Sequence, residues 1–148
     1  MLLEGLELIG DDGNLMSKMY LLSNMGGTRL KQRSPAEAEE YAAQALKLSV
    51  LGSEVTIQTG SILDLAGCAT LLEDYGRAAR LFAAVEAKER EMGHIRDEHD
   101  REFYGSLQEQ VRSALGAQEY ERLSREGYAL HWSDLITYAL RSEQNSLS

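Results

Sequence analysis

The sequence contains very little cysteine and proline: among 148 residues, Cys68 and Pro35 are the single representatives of their types. One cysteine excludes a disulfide within the chain and a thiolate cluster around a metal. This usage is typical of the reducing cytosol, so we predict a cytoplasmic protein. Cys68 lies beside Ala69 on the apolar side of a helical pattern, where a small buried thiol is expected.

Positive charge is also scarce. Lys and Arg number 15 against 24 Asp and Glu, and the only dense basic stretch is Arg29, Lys31 and Arg33. Because proteins that bind nucleic acids gain much of their affinity by neutralising phosphates, this balance argues against direct nucleic-acid binding by the chain.

Long apolar runs are missing as well. No stretch approaches the ~18 apolar residues that a membrane span needs, so no membrane partner is predicted. The start, Met1–Glu4, has no basic segment before an apolar run, which argues against a signal peptide. What is abundant is Ala, Leu, Glu, Arg and Gln, and these strong helix formers predict an all-α fold.

A repeat of about forty residues organises the chain. Gly10, Gly52 and Gly93 each follow an apolar-rich helical segment, and glycine commonly ends helices in the left-handed conformation. A shift of 40 positions superposes small or apolar residues on one another. The matched pairs are Leu22/Ile62, Met25/Leu65, Gly26/Ala66, Ala38/Ala78, Ala42/Phe82 and Ala45/Val85. We therefore predict stacked α-hairpins, with close helix approach at the small pairs.

Helix ends are predicted from capping patterns. Ser34, Pro35 and Glu37 match a capping box with proline at the first helical position. Ser53 and Asp74 are predicted to cap the two helices of the second unit. The predicted helices are about 14–32, from 35, 53–72, from 75, 101–115, 118–126 and from 133, with Gly116 and Gly127 as further stops.

These patterns predict one helical-repeat domain over residues 1–141. Its predicted parts are a partial hairpin (1–10), repeat one (12–52), repeat two (53–93), divergent C-terminal capping helices (94–141) and a flexible tail (142–148). A divergent final unit is expected, since the end of a stack must present a soluble face.

The hairpins resemble tetratricopeptide-type repeats, in the longer form found in maltose-regulator-like and LuxR-type bacterial transcriptional regulators. The similarity is carried by Tyr75–Ala87, Glu119–Leu123, Glu126–Leu130 and Asp134–Leu140, and it extends over about residues 12–141. Leu123–Arg125 and Trp132 depart from the family pattern, and no phosphate-binding loop or helix-turn-helix is present. The resemblance implies a right-handed superhelical array of about seven helices with a sensor or scaffold role.

The resemblance also implies a binding surface. First helices of stacked hairpins line a concave face, which suits a helix or peptide ligand. The residues expected there are Tyr20, Ser23, Gly27, Lys31, Gly60, Leu63, Gly67 and Thr70. The prediction is a non-catalytic module that binds a protein or peptide partner and needs no cofactor.

Two alternatives remain open at this point. Leu2, Leu3, Leu6 and Ile9 form an apolar stripe, which predicts a homodimer and a structural role. The segment His94–His99 holds two imidazoles and two carboxylates, as a metal-dependent enzyme would need. Its spacing does not match the zinc-protease forms, so a solvated loop with Asp97 or Asp100 capping the next helix is favoured.

Overall fold

The computed structural model describes residues 14–141. Within that range the chain forms seven α-helices and no strand, which confirms the all-α fold class. The helices are α1 (Leu15–Lys31), α2 (Pro35–Leu51), α3 (Val55–Leu71), α4 (Tyr75–Met92), α5 (Glu98–Leu115), α6 (Ala117–Ala129) and α7 (Trp132–Leu140). The predicted partial hairpin 1–10, the apolar stripe Leu2, Leu3, Leu6 and Ile9, and the tail 142–148 lie outside the described residues.

The first four helices begin at intervals of 20 residues, so a helix with its turn spans half of the predicted forty-residue unit. Each of these helices ends in the same turn, in which one residue takes a positive φ. Those residues are Arg33 (60°), Ser53 (53°), Glu73 (63°) and Gly93 (69°). In every turn the next backbone N–H donates to a carbonyl five residues back: Ser34 to Arg29, Glu54 to Ser49, Asp74 to Ala69 and His94 to Glu89, at 2.8–2.9 Å. This is the hydrogen bond of a Schellman-type helix end.

The glycine stops were predicted only partly correctly. Gly93 is left-handed as expected, whereas Gly52 has a φ of −88° and the left-handed position falls on Ser53. Gly52 instead lies close to Met19, since a Cβ there would be 2.6 Å from Cε at the end of that side chain. Gly10 lies outside the described residues.

The predicted capping box at Ser34 is wrong. Pro35 does open α2, but the Ser34 side chain makes no capping hydrogen bond, and the Glu37 carboxylate accepts from Nε of Arg29 at 3.0 Å. Ser53 belongs to the turn rather than to a cap, and Asp74 stands at the N-cap without a side-chain bond. The common cause is the tight turn, in which the backbone N–H of each N-cap residue bonds to the preceding helix.

The C-terminal helices are longer than predicted. Asp97 caps α5 by accepting from the backbone N–H of Asp100 at 2.9 Å, so this helix starts at Glu98 rather than near Arg101. Helix α6 continues through Gly127, where a stop was predicted. A Cβ at Gly127 would lie 2.7 Å from the carbonyl carbon and Cα of Arg80, so this glycine allows two helices to touch.

The core contains the small and apolar residues that were matched in pairs by shifting the sequence by 40 positions. All members of the matched pairs are buried except Met25, which is half-buried. The predicted close approach within the first hairpin is confirmed, because a Cβ at Gly26 would lie 3.3 Å from the backbone nitrogen of Ala42. Burial of these apolar side chains supplies the main favourable term in folding.

The stacking changes after α4. Helices α1 to α4 pack in chain order, and α1 also packs against α3. Thereafter α6, rather than α5, has the more extensive packing on α4, while α5 lies against α3 and α4. Arg77 on α4 donates to the carbonyl oxygens of Tyr138 and Ala139, which fastens the end of α7. None of the helices between residues 14 and 141 combines the length and apolar character that crossing a membrane requires.

A testable prediction concerns the left-handed residue of the repeated turn and the free energy of unfolding. A side chain in the left-handed region costs about 1 kcal/mol, so Ser53→Gly is expected to raise the free energy of unfolding by up to about that amount. Gly93→Ala, at the equivalent position with open space around the added Cβ, is expected to lower it by about 1 kcal/mol. Urea unfolding of both variants tests this, and changes of the same sign would contradict it.

Candidate functional site

A polar cleft lies between α1, α3 and the beginning of α5, and the segment after α4 closes one end. Its volume is about 450 Å³. The walls carry hydroxyl and amide groups from Ser23, Asn24, Thr28, Thr56 and Thr59, and charged groups from Lys31, Asp64, Glu89, Arg96 and Asp100. This size and mixture suit a small ligand or one extended side chain of a larger one.

Five of the eight residues predicted for the concave face line this cleft: Ser23, Gly27, Lys31, Gly60 and Leu63. Tyr20 is exposed and lies outside it. Gly67 and Thr70 are buried in the core. A Cβ at Gly67 would lie 2.7 Å from Cδ2 of Leu30, and the Thr70 hydroxyl donates to the carbonyl oxygen of Ala66. The cleft therefore occupies only the first half of α3.

Two glycines inside helices lie on the wall of the cleft. A Cβ at Gly60 would have no heavy atom within 4 Å, and one at Gly27 would meet only Oδ2 of Asp64, at 3.7 Å. Glycine in a helix interior costs about 1 kcal/mol relative to alanine. At both positions the missing side chain leaves open space along the wall of the cleft.

Asp64 is the most unusual side chain in the cleft. It is the only charged residue of α3 and is 5% exposed. Its Oδ1 accepts a hydrogen bond from the Tyr104 hydroxyl on α5. Burial raises the pKa of Asp64 to about 7, although the Tyr104 hydrogen bond and the charge of Lys31 act in the opposite direction. Burial and the neighbouring Asp64 charge likewise raise the pKa of Tyr104, so its proton is held.

The other charges around the cleft are paired with one another. Nζ of Lys31 lies 3.6 Å from Oδ1 of Asp100 and 5.6 Å from the centre of the Phe103 ring. Nε of Arg96 donates to both oxygens of Glu89 at 3.0 Å. Nη2 of Arg96 lies 2.8 Å from Oε1 of Glu89, which is an ion-pair distance without hydrogen-bond geometry.

The His94–His99 segment does not gather as a metal site would require. Nε2 of His94 lies 3.9 Å from Glu89, and Asp97 is used as a helix cap. From residue 14 to residue 141, no group of three or more His, Cys, Asp or Glu side chains is placed to hold a metal ion. Cys68 is fully buried and burial raises its pKa, so its thiol stays protonated and unreactive.

Asp64 and Tyr104 were not among the predicted site residues. A usable signal was present, because Asp64 is a lone charge in a helix whose other side chains are apolar, small or uncharged. Its partner could not be identified from the sequence, since the two residues are 40 positions apart and meet only when α5 lies against α3.

Comparison with protein-family models, with curated proteins and with solved structures gave no match to the chain. The class that the geometry defines is thus an all-α protein of stacked helices with a polar cleft along α1 and α3. Assignment to any family of regulators remains an expectation from the residues quoted above.

Proposed function

We propose that this chain is a non-catalytic binding module that holds a segment of a protein partner in the cleft between α1, α3 and α5. The observation that carries the proposal is the open floor formed at Gly27 and Gly60, beneath walls of hydroxyl and charged groups.

The placement of the cleft supports a partner that runs along helices. Its walls come from α1 and α3, which are the first helices of two successive hairpins, and such faces bind extended or helical segments in repeat proteins. We extend the proposal to a right-handed superhelical array and to a sensor role in the cytoplasm, as part of a bacterial transcriptional regulator. That extension is supported by the resemblance of Tyr75–Ala87, and of the segments that follow it, to the helical repeats of such regulators.

Selection of a peptide library on the immobilised chain tests the binding function, with Gly60→Gln as the cleft variant and Gly105→Gln as its control. Both glycines are inside helices, and a Cβ at either meets nothing within 4 Å, but only Gly60 lines the cleft. Peptides selected on the wild type are expected to bind the control equally well and the cleft variant about ten-fold more weakly or worse. Equal binding to all three proteins, or no enriched peptide, would contradict the proposal.

A further inference from the structure

The cleft has one carboxylate without a cationic partner. Lys31 is paired with Asp100, and Arg96 with Glu89, as the distances above show. Asp64 has only the neutral Tyr104 hydroxyl on Oδ1, and no described residue donates a hydrogen bond to Oδ2. Oδ2 is not fully enclosed by the protein, so it reaches the open cleft, from which a ligand can approach it.

Oδ2 of Asp64 is open to a ligand. Asp64 lines the cleft, and the absence of a side chain at Gly27 clears the space next to Oδ2 on the α1 side. The Thr59 hydroxyl, which also lines the cleft, donates its proton to the carbonyl oxygen of Thr56 at 2.8 Å. That hydroxyl can therefore only accept from a ligand. Next to Asp64 and Thr59 the cleft thus offers acceptors, and its two cations are already paired with Asp100 and Glu89, so a complementary ligand brings donors and a positive charge.

We propose that the cleft binds a primary ammonium group, which donates to Oδ2 of Asp64 while its alkyl chain passes over Gly27 and Gly60. An ammonium is favoured over a guanidinium because a planar guanidinium gains from binding both carboxylate oxygens at once. Tyr104 already donates to Oδ1, and Oδ2 is the oxygen next to the open space at Gly27, so a compact group that binds one oxygen fits better than one that must reach both. The inference rests on the proposed binding function and names its chemistry: a lysine side chain of a partner or a free alkylamine.

The experiment is an amide-shift titration of the full chain with four probes at about pH 8, where most of Asp64 is charged. The probes are pentylamine, pentan-1-ol, and the N-acetyl, N′-methylamide derivatives of lysine and of arginine. Both amines are expected to shift the amides of Gly27 and Gly60 saturably. The alcohol is expected not to, and the arginine derivative is expected to bind about ten-fold more weakly than the lysine derivative. Equal shifts by amine and alcohol would overturn the proposal.

Substitutions at Asp64 and Tyr104 test whether the ammonium group contacts Asp64. Asp64→Asn keeps the shape of the side chain and is expected to weaken amine binding about ten-fold or more, with Gly105→Ala unchanged. Tyr104→Phe removes the hydrogen bond to Oδ1. This variant is therefore expected to bind the lysine and arginine derivatives with more similar affinities than the wild type does. If Asp64→Asn folds, as its amide spectrum will show, and binds the amines as the wild type does, the proposal is wrong.

The pH dependence is an independent readout. The titratable and charged groups that line the cleft together with Asp64 are Lys31 on α1, Glu89 on α4, His94 and Arg96 after it, and Tyr104 with Asp100 on α5. An ammonium ligand needs the charged carboxylate, so amine affinity is expected to fall as the pH drops below about 7. Constant affinity between pH values of about 8 and 5 would contradict the contact.

Three outcomes of the peptide selection and the amine titration separate this inference from the proposed function. Selected peptides that lose binding with Gly60→Gln but not with Asp64→Asn, and that need no lysine, would overturn the ammonium site and leave the binding module standing. Amine binding without any selected peptide would support the site as one for a free alkylamine and would overturn the protein partner. Selected peptides that require one lysine would support both.

Discussion

Gly127→Ala is expected to lower the free energy of unfolding by about 3 kcal/mol, the upper part of the range for forcing a methyl group into a packed contact. The added Cβ would overlap the carbonyl oxygen of Arg80 and lie 2.7 Å from its carbonyl carbon and Cα. These are backbone atoms of α4, so no side-chain rotation can relieve the clash. Helix α6 must therefore move away from α4, which is the most extensive contact that α6 makes.

Gly105→Ala is the matched control. Gly105 lies inside α5, and a Cβ there meets nothing within 4 Å. The control should be more stable than the wild type by about 1 kcal/mol, because alanine is the better helix former. Denaturant unfolding followed by circular dichroism measures both variants. If Gly127→Ala were as stable as the control, the close contact between α4 and α6 would be disproved.

The glycines show which parts of the fold the sequence patterns could predict: helix contacts were predicted well and helix ends were not. The small residues Gly26 and Ala38 correctly indicated close helix contact within the first hairpin, where a Cβ at position 26 would lie 3.3 Å from the backbone nitrogen of Ala42. The helix ends were harder to predict from the sequence. Three of the four left-handed positions carry Arg33, Ser53 and Glu73, which no glycine pattern can reveal. Regular spacing of 20 residues was the better signal, and the spacing of 41 and 42 between predicted glycine stops obscured it.

The cleft could be predicted only where the hairpin register determines it. Ser23, Gly27, Gly60 and Leu63 follow from placing α1 and α3 side by side. Gly67 and Thr70 lie on the same helix as Gly60 but are buried, because α5 and Leu30 cover that part of α3. The position of α5 depends on its long-range contacts, such as that between Tyr104 and Asp64, and these cannot be obtained from local patterns.

Asp64→Asn is expected to stabilise the unliganded chain at neutral and higher pH. An aspartate has an ordinary pKa of 3.8, and burial raises the pKa of Asp64 to about 7 in the folded chain. Between these values the folded state holds a proton that the unfolded state has lost, so raising the pH through this window lowers the stability of the wild type. Above the window the penalty is roughly 4 kcal/mol, because each pKa unit corresponds to about 1.4 kcal/mol.

The asparagine has no charge to bury and can still accept from the Tyr104 hydroxyl, so its stability lacks this pH-dependent loss. We expect the two proteins to differ little near pH 4 and the variant to gain most of the roughly 4 kcal/mol by about pH 8, as measured by urea unfolding across that range. Parallel stability profiles would show that the carboxylate is solvated rather than buried. A loss of stability with rising pH that Asp64→Asn removes would instead show that the carboxylate is retained at the expense of stability, which agrees with the proposed binding function.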